Sequence, residues 1–267
     1  MLDSKTIDTI ARAYDAAEKG RHRIRPPSVQ YEGFTTEDAY AVQRRWVEIK
    51  VAAGNVIKGH KIGLTSRAMQ RQVGINEPDY GALLADMFYA GGAEIPVSRF
   101  IQPRLECELG FVIGRRLTGP NCTIFDVLNA TDYIIPAAEI VDGRTHRVDP
   151  ETNKPRSVLD SIADNAGNAA LIVGGRPIKP MDVDLRWVSV LCHRNNVIEE
   201  SGVAAAVLNH PANGVAWLAN KLSPFDIALE PGQFVLSGSF TGTVEAHAGD
   251  VFHVDYGPLG SISSRFV

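Results

Sequence analysis

The sequence predicts an α+β fold, with a helical N-terminal region followed by a mixed, largely antiparallel β-sheet core. Two observations carry that prediction. Apolar residues recur at helical spacing as far as Gly54, and from about residue 55 short β-rich runs follow one another between Gly and Pro punctuation. The runs do not alternate regularly with helices, which argues against a doubly wound parallel sheet. The chain is read as a helical N-terminal region over 1–75 and a sheet-rich domain over 76–267.

The first helix is expected to start at Ser4, to bury Ile7, Ile10, Ala11, Tyr14 and Ala17, and to stop at Gly20. An extended linker with two prolines, RHRIRPPSVQYEGF, leads to Thr35 and Asp38, a short-armed capping box. That box opens a second helix with Ala39, Val42, Trp46 and Ile49 on its buried stripe. The strand candidates are VIKGHKIGL, LLADMFY, RLECELGFVI, DYIIPAAEIV, AALIVG, WVSVLCH, QFVLSGS, VFHVDY and SISSRFV. Helices interrupt them at TIFDVLNA and at PANGVAWLANKL, and turns are expected at Arg194–Asn196 and Gly257–Gly260. The connection at 143–160 is read as a long loop, either a solvated insertion or a binding loop, and it holds Arg144, His146, Arg147 and Arg156.

Several function classes fall away on composition and motif. With 27 basic and 31 acidic residues the net charge is −4, so the chain is not a strongly basic nucleic-acid binder. No apolar run reaches the roughly 18–20 residues of a membrane span. Three scattered cysteines make no CxxC pair or disulfide framework and fit a reducing cytosol, so a cytoplasmic protein is expected. A phosphate loop, a GxGxxG before a helix and a GxSxG elbow are all absent.

What remains is a set of acids and one lysine. On a strand through Arg104–Leu109, Glu106 and Glu108 share a face about 7 Å apart, opposite Leu105, Cys107 and Leu109. A third carboxylate, Glu139, ends the apolar run Tyr133–Ala138. Such hard oxygen donors suit Mg²⁺ or Mn²⁺, although two glutamates on a strand equally describe a wet sheet face. Lys61 sits in an apolar strand between glycines, either as an edge lysine in water or as a desolvated group able to move a proton. Glu77-Pro78-Asp79-Tyr80-Gly81 reads as a turn, and Leu236–Gly242 as a glycine-rich segment after a strand.

Taken together, GHKIGLTS (59–66), PDYG (78–81), QPRLECE (102–108), ADNA (163–166) and NHP (209–211) resemble one family in one order. It is the hydratase and decarboxylase family of bacterial aromatic meta-cleavage pathways, within the fumarylacetoacetate hydrolase-like superfamily. The resemblance spans essentially the whole chain. It implies that Glu106, Glu108 and Glu139 ligate Mg²⁺, with Mn²⁺ as the other candidate, and that Lys61 and Asp79 are the catalytic pair. Substrate contacts are expected at Ser161, Arg144, Gly238 and Ser239, and Arg144, His146, Arg147 or Arg156 of the long loop is expected to clamp the distal carboxylate.

The implied activity is a hydro-lyase reaction of homoprotocatechuate catabolism. Water adds to 2-oxo-hept-3-ene-1,7-dioate to give 4-hydroxy-2-oxo-heptanedioate, and no nucleic-acid or membrane partner is involved. The resemblance also implies a homo-oligomer, a pentamer or decamer. A 4-oxalocrotonate-type decarboxylase with the same metal site is the alternative; there the resemblance implies an apolar residue in place of Asp79.

Overall fold

The computed structural model describes residues 1–267. Helix α1 (Ser4–Gly20) buries Ile10, Ala11, Tyr14 and Ala17 as the periodicity predicts, while Asp3 rather than Ser4 caps it by accepting from the Thr6 amide. The linker is not fully extended, because Pro26 and Pro27 start one short turn, α2 (Pro27–Gln30). Helix α3 (Thr36–Ala52) opens on the full Thr35–Asp38 capping box and buries Val42 and Trp46.

Strand β1 (Ile57–Gly63) and helix α4 (Arg67–Val73) precede β2 (Asp79–Leu84). Here the structure corrects the sequence reading. The Glu77–Gly81 segment is not simply a turn: Asp79 is the first residue of a strand buried along its whole length. LLADMFY does not form one strand either. A short 3₁₀ turn at Ala85–Met87 divides it, and β3 (Phe88–Ala90) follows.

Next come β4 (Glu94–Ile95), β5 (Arg104–Ile113), α5 (Ile124–Ala130), β6 (Thr131–Val141), α6 (Val158–Ala163) and β7 (Asn168–Val173). The C-terminal part carries β8 (Ser189–Arg194), β9 (Val197–Val203), α7 (Pro211–Leu222), β10 (Phe234–Leu236), β11 (Val244–Glu245), β12 (Val251–Asp255) and β13 (Ser261–Phe266). Asn195 and Asn196 turn the β8–β9 hairpin with φ of 53° and 67°. Two successive left-handed residues match the twist of the strands they join, and Asn tolerates that conformation better than most residues.

Two sheets result, and both are mixed. The larger has eight strands in the order β2-β1-β10-β5-β6-β7-β3, with β11 added alongside β5; the smaller has five in the order β4-β13-β12-β8-β9. Most pairs are antiparallel, but β1 runs parallel to β10, β3 to β7 and β13 to β4. Strand β1 therefore ties the N-terminal segment into the same sheet as the acids of β5 and β6. Helix α3 is tied in as well, since the Gln43 side-chain amide donates to the carbonyls of Tyr80 and Ile162 at 2.8 Å each. Tyr256, just past β12, locks the two sheets together. Its hydroxyl accepts from the Glu108 amide at 3.2 Å and donates to the Ala137 carbonyl at 2.6 Å.

The long connection is tethered rather than free. Thr145 forms a bridge with Ile24, and Arg25 grips both oxygens of Asp149 at 2.7 and 2.9 Å. That grip holds the Asp149 carboxyl below the ordinary carboxylate range. A lowered native pKa contributes stability that is full above the unfolded value of about 3.9 and is lost progressively as pH falls below it and through the lower native value. Wild type should therefore melt above Asp149→Asn at about pH 7, and the gap should be narrower, though still open, at about pH 3. Thermal melts of both proteins at the two pH values check this; a gap that does not change with pH would contradict it.

Candidate metal centre and active site

The register of β5 against β6 builds the centre. Glu106 pairs directly with Glu139, and Glu108 lies two residues further along on the same face of β5. One carboxylate oxygen from each of Glu106, Glu108 and Glu139 falls within 4.8 Å of the others. Glu108 and Glu139 are buried and Glu106 is half-buried. The edge of the triangle is reinforced: the Gly238 amide donates to Glu108 Oε2 at 2.8 Å, and the Asn168 side-chain amide donates to Glu139 Oε1 at 2.8 Å.

Lysine 61 closes the site from β1. Strand β10 ends at Leu236, level with Lys61, so no further strand separates Lys61 from the acids beyond that point. Its Nζ donates to the Ala166 carbonyl at 2.9 Å and lies 3.3 Å from Glu139 Oε1. Asp79 stands opposite Gly63 in the β1–β2 pairing. A Cβ on Gly63 would fall 2.2 Å from Asp79 Oδ1 and 3.1 Å from Lys61 Nζ, so the glycine leaves both groups room in one corner. Gly238, at φ 109°, is the second required glycine, since a Cβ there would meet Thr65 at 2.5 Å.

The electrostatics follow from crowding acids out of water. Burial and the neighbouring Glu139 push Glu106 up to about 7, and burial pushes Glu108 well above the ordinary range. Burial likewise raises Asp79 to about 6, although Lys61 opposes the shift. Burial alone would lower Lys61, but the charges of Glu139, Asp79, Glu106 and Glu108 outweigh it and hold the ammonium above the usual lysine range. Four acids thus share one lysine, and an uncompensated negative site remains.

The donor set fits a divalent cation. Glu108 Oε1 and Glu139 Oε2 are buried with no hydrogen-bond partner, and buried carboxylate oxygens are rarely left so. Three converging hard oxygens with free lone pairs are what Mg²⁺, Mn²⁺ or Ca²⁺ require.

The cavity of about 550 Å³ in front of this centre is lined by Lys61, Asp79, Glu106 and Ser161 among others. Of the residues expected to touch substrate, Ser161 lines it. Arg144 does not. Its buried guanidinium is spent on Asp164 Oδ1 at 2.7 Å and the Asn168 carbonyl at 2.9 Å, and it packs over the Trp46 ring at 5.3 Å. The Gly238 amide is directed to Glu108, and the Ser239 hydroxyl donates to the Thr241 carbonyl at 3.0 Å. His146 is likewise outside the cavity lining, with its backbone amide bound to Ile24. Sequence reasoning missed Asn168, which orients Glu139, and Asn165, whose amide group spans Ala82 at 2.8 and 2.9 Å. Asn165 fell within the ADNA match, which hinted at it; nothing in the local pattern singled out Asn168.

These features define the class. The chain belongs to the fumarylacetoacetate hydrolase family, since residues 51–267 match the family described as "Fumarylacetoacetate (FAA) hydrolase C-terminal". It is 63% identical over 267 residues, all of both chains, to the 2-oxo-hept-4-ene-1,7-dioate hydratase of Escherichia coli. It is also 36% identical to the 2-keto-4-pentenoate hydratase of Paraburkholderia xenovorans, over 95% of this chain and 91% of that one. Among solved structures, the 4-oxalocrotonate decarboxylase of Pseudomonas putida G7 superposes with a TM-score of 0.94 at 36% identity, covering 100% of this chain and 99% of that one. That decarboxylase has been solved with magnesium and adipate and with calcium and acetate.

The carboxylate triangle predicts one divalent ion per chain, measurable by calorimetric titration with Mn²⁺. Asn168→Ala should weaken binding by about 10–100-fold through the freed Glu139, and Glu108→Gln or Glu139→Gln should weaken it further. At an ion concentration a hundredfold above Kd, the ion should stabilise the fold by about 2.7 kcal/mol. Unaltered Mn²⁺ affinity in Glu139→Gln would remove that residue from the ligand set.

Proposed function

We propose that this chain is a divalent-metal-dependent hydratase acting on a 2-oxo-alkenoate dicarboxylate, with Mg²⁺ as the metal. The substrate is 2-oxo-hept-3-ene-1,7-dioate, or the 4-ene isomer named for the E. coli relative, and the product is 4-hydroxy-2-oxo-heptanedioate. The observation that carries the reading is the pairing of Asp79 and Lys61 in one corner of a cavity that Glu106, one member of the Glu106–Glu108–Glu139 triangle, also lines. The full-length identity to a hydratase supports it.

The metal would supply Lewis acidity at the 2-oxo group, making the conjugated alkene electrophilic. The protein's own groups handle protons. From a 4-ene the proton must leave C3 and return at C5 before water can add at C4; from a 3-ene only the addition is needed. Asp79 Oδ1, buried and without a hydrogen-bond partner, is the carrier suited to take up and return that proton. Lys61 uses two of its three N–H donors on Ala166 and Glu139, which leaves one for the reacting oxygen or water. Ser161 on α6 is assigned to substrate, and Gly238 to holding Glu108 for the metal. Ser239 is assigned to shaping the Gly238 loop, and Arg144 to holding Asp164.

Self-association and a cytoplasmic location belong to the same reading. Trp187, Val197 and Ile198 leave exposed apolar surface around the β8–β9 hairpin, which is consistent with contact between copies in a pentamer or decamer.

A decarboxylase using the same metal site is the second reading, supported by the close superposition with the Pseudomonas enzyme. An assay with Mg²⁺ separates the two: loss of enone absorbance without CO₂ supports hydration, and CO₂ from 4-oxalocrotonate overturns it. Asp79→Ala should lower hydration by about 10²–10⁴-fold while Mn²⁺ affinity persists. Hydration at the wild-type rate in that variant would take Asp79 out of the mechanism.

A further inference from the structure

The cavity that Glu106 opens onto is also lined by positive charge. Four arginines line it: Arg23 from the α1–α2 linker, Arg104 at the start of β5, and Arg147 and Arg156 from the 143–157 connection. Of these four only Arg104 is paired with an acid, Glu245 at 2.6 Å, which also accepts from Gln102 at 3.3 Å. The other acids lining this region are committed elsewhere. Asp142 accepts the amides of Ile101 and Gln102, and Asp164 holds Arg144.

Arg23 donates to the neutral Gln102 and Arg156 to the Thr145 hydroxyl. Arg147 makes no hydrogen bond within the chain beyond its backbone. The charge of Arg104, then burial and the charges of Arg156 and Arg23, depress its pKa, although Glu245 opposes them. Gathering like charges is unfavourable unless an anion joins them.

The spacing along β5 says which anion. Arg104 and Glu106 lie on one face, two residues or about 7 Å apart. The two carboxylate carbons of an extended seven-carbon diacid are separated by about 7–8 Å at ordinary C–C bond lengths. A molecule whose 2-oxo-acid end sits at Glu106 thus has the length to bring its far carboxylate to the arginines.

We propose that Arg104, Arg147 and Arg156, with Arg23 beside them, form a subsite for the distal carboxylate and make the cavity select 2-oxo dicarboxylates over monocarboxylates of equal length. The proposal rests on the reading above for which end of the substrate reacts. Of the loop cations expected to clamp the distal carboxylate it keeps Arg147 and Arg156, drops Arg144 and His146, and adds Arg104 and Arg23 from two other segments. Guanidinium groups suit the task, because their planar donors match a carboxylate.

Binding of unreactive analogues to the metal-loaded protein tests this without turnover. The probes are 2-oxoheptanedioate and 2-oxoheptanoate, compared by calorimetry in wild type, Arg147→Ala and Arg156→Gln. Arg147 is exposed and supports no fold contact, so its variant keeps the test valid if Arg156→Gln does not fold. Wild type should favour the dicarboxylate by about 10–100-fold, the preference should collapse towards unity in the variants, and added salt should shrink it. No preference in wild type, or an undiminished preference in the folded variants, overturns the subsite. Analogue preference lost in the variants while wild type hydrates neither alkenoate would leave the subsite standing and overturn the hydratase reading instead.

Discussion

The structure depends on one electrostatic constraint: three glutamates and an aspartate must be kept out of water around a single lysine. The β5–β6 register creates the problem by setting Glu139 against Glu106, in strands whose other residues are almost wholly apolar. Charged groups crowded in this way are tolerable only where partners are fixed in advance, since a buried unpaired charge costs several kcal/mol. The surrounding architecture supplies fixed partners. The Gly238 amide takes Glu108 Oε2, the Asn168 side chain and the Lys61 ammonium share Glu139 Oε1, and a cation would take the remainder.

Those partners need support of their own, and Arg144 provides it. The 164–168 segment is strained, with Asn165 and Ala166 at φ of 53° and 52°. It nevertheless presents the Ala166 carbonyl to Lys61 and the Asn168 amide to Glu139. Arg144 grips both ends of the segment, at Asp164 and at the Asn168 carbonyl, while Asn165 docks on β2 through Ala82. The strain at Ala166 is of the kind found where a carbonyl must point into a site. Helix α3 backs this arrangement with Trp46 under the guanidinium and Gln43 bonded to Tyr80 and Ile162. The helical start of the chain thereby contributes to the rigidity of the centre without lining it.

Much of this was legible in the sequence. Period and capping placed α1, α3 and α7, and the β-rich runs located most strands because the sheets are antiparallel enough for short, punctuated segments to be visible. The same-face pairing of Glu106 and Glu108 follows from strand geometry alone. What was not legible is long-range register: nothing local says that Glu139 faces Glu106, or that β10 stops level with Lys61. Arg144 was misread for the same reason. Loop arginines ordinarily face water, and only the fold reveals an Asp164 partner twenty residues on. Asp79 was read as part of a turn because Pro78 and Gly81 carry turn chemistry, yet pairing with β1 overrides it and makes a buried strand start.

That strand start bears most directly on which chemistry the site performs. The metal triangle and Lys61 serve the hydratase and decarboxylase readings alike, and a TM-score of 0.94 to a decarboxylase shows that the fold is common to both. Decarboxylation of a 2-oxo acid needs an electron sink, which a bound cation provides. Hydration needs in addition a group that carries a proton between carbon and water. Asp79 has the attributes of such a group. It is 3% exposed, Oδ1 has no hydrogen bond, and burial raises its pKa to about 6 against the pull of Lys61. An apolar side chain at the head of a fully buried strand would avoid the desolvation penalty of about 1–3 kcal/mol or more that this carboxylate incurs. A carboxylate that weakens its own strand, stands beside the lysine and opens onto the cavity is better explained by proton transfer than by folding, which is why the hydratase reading is preferred.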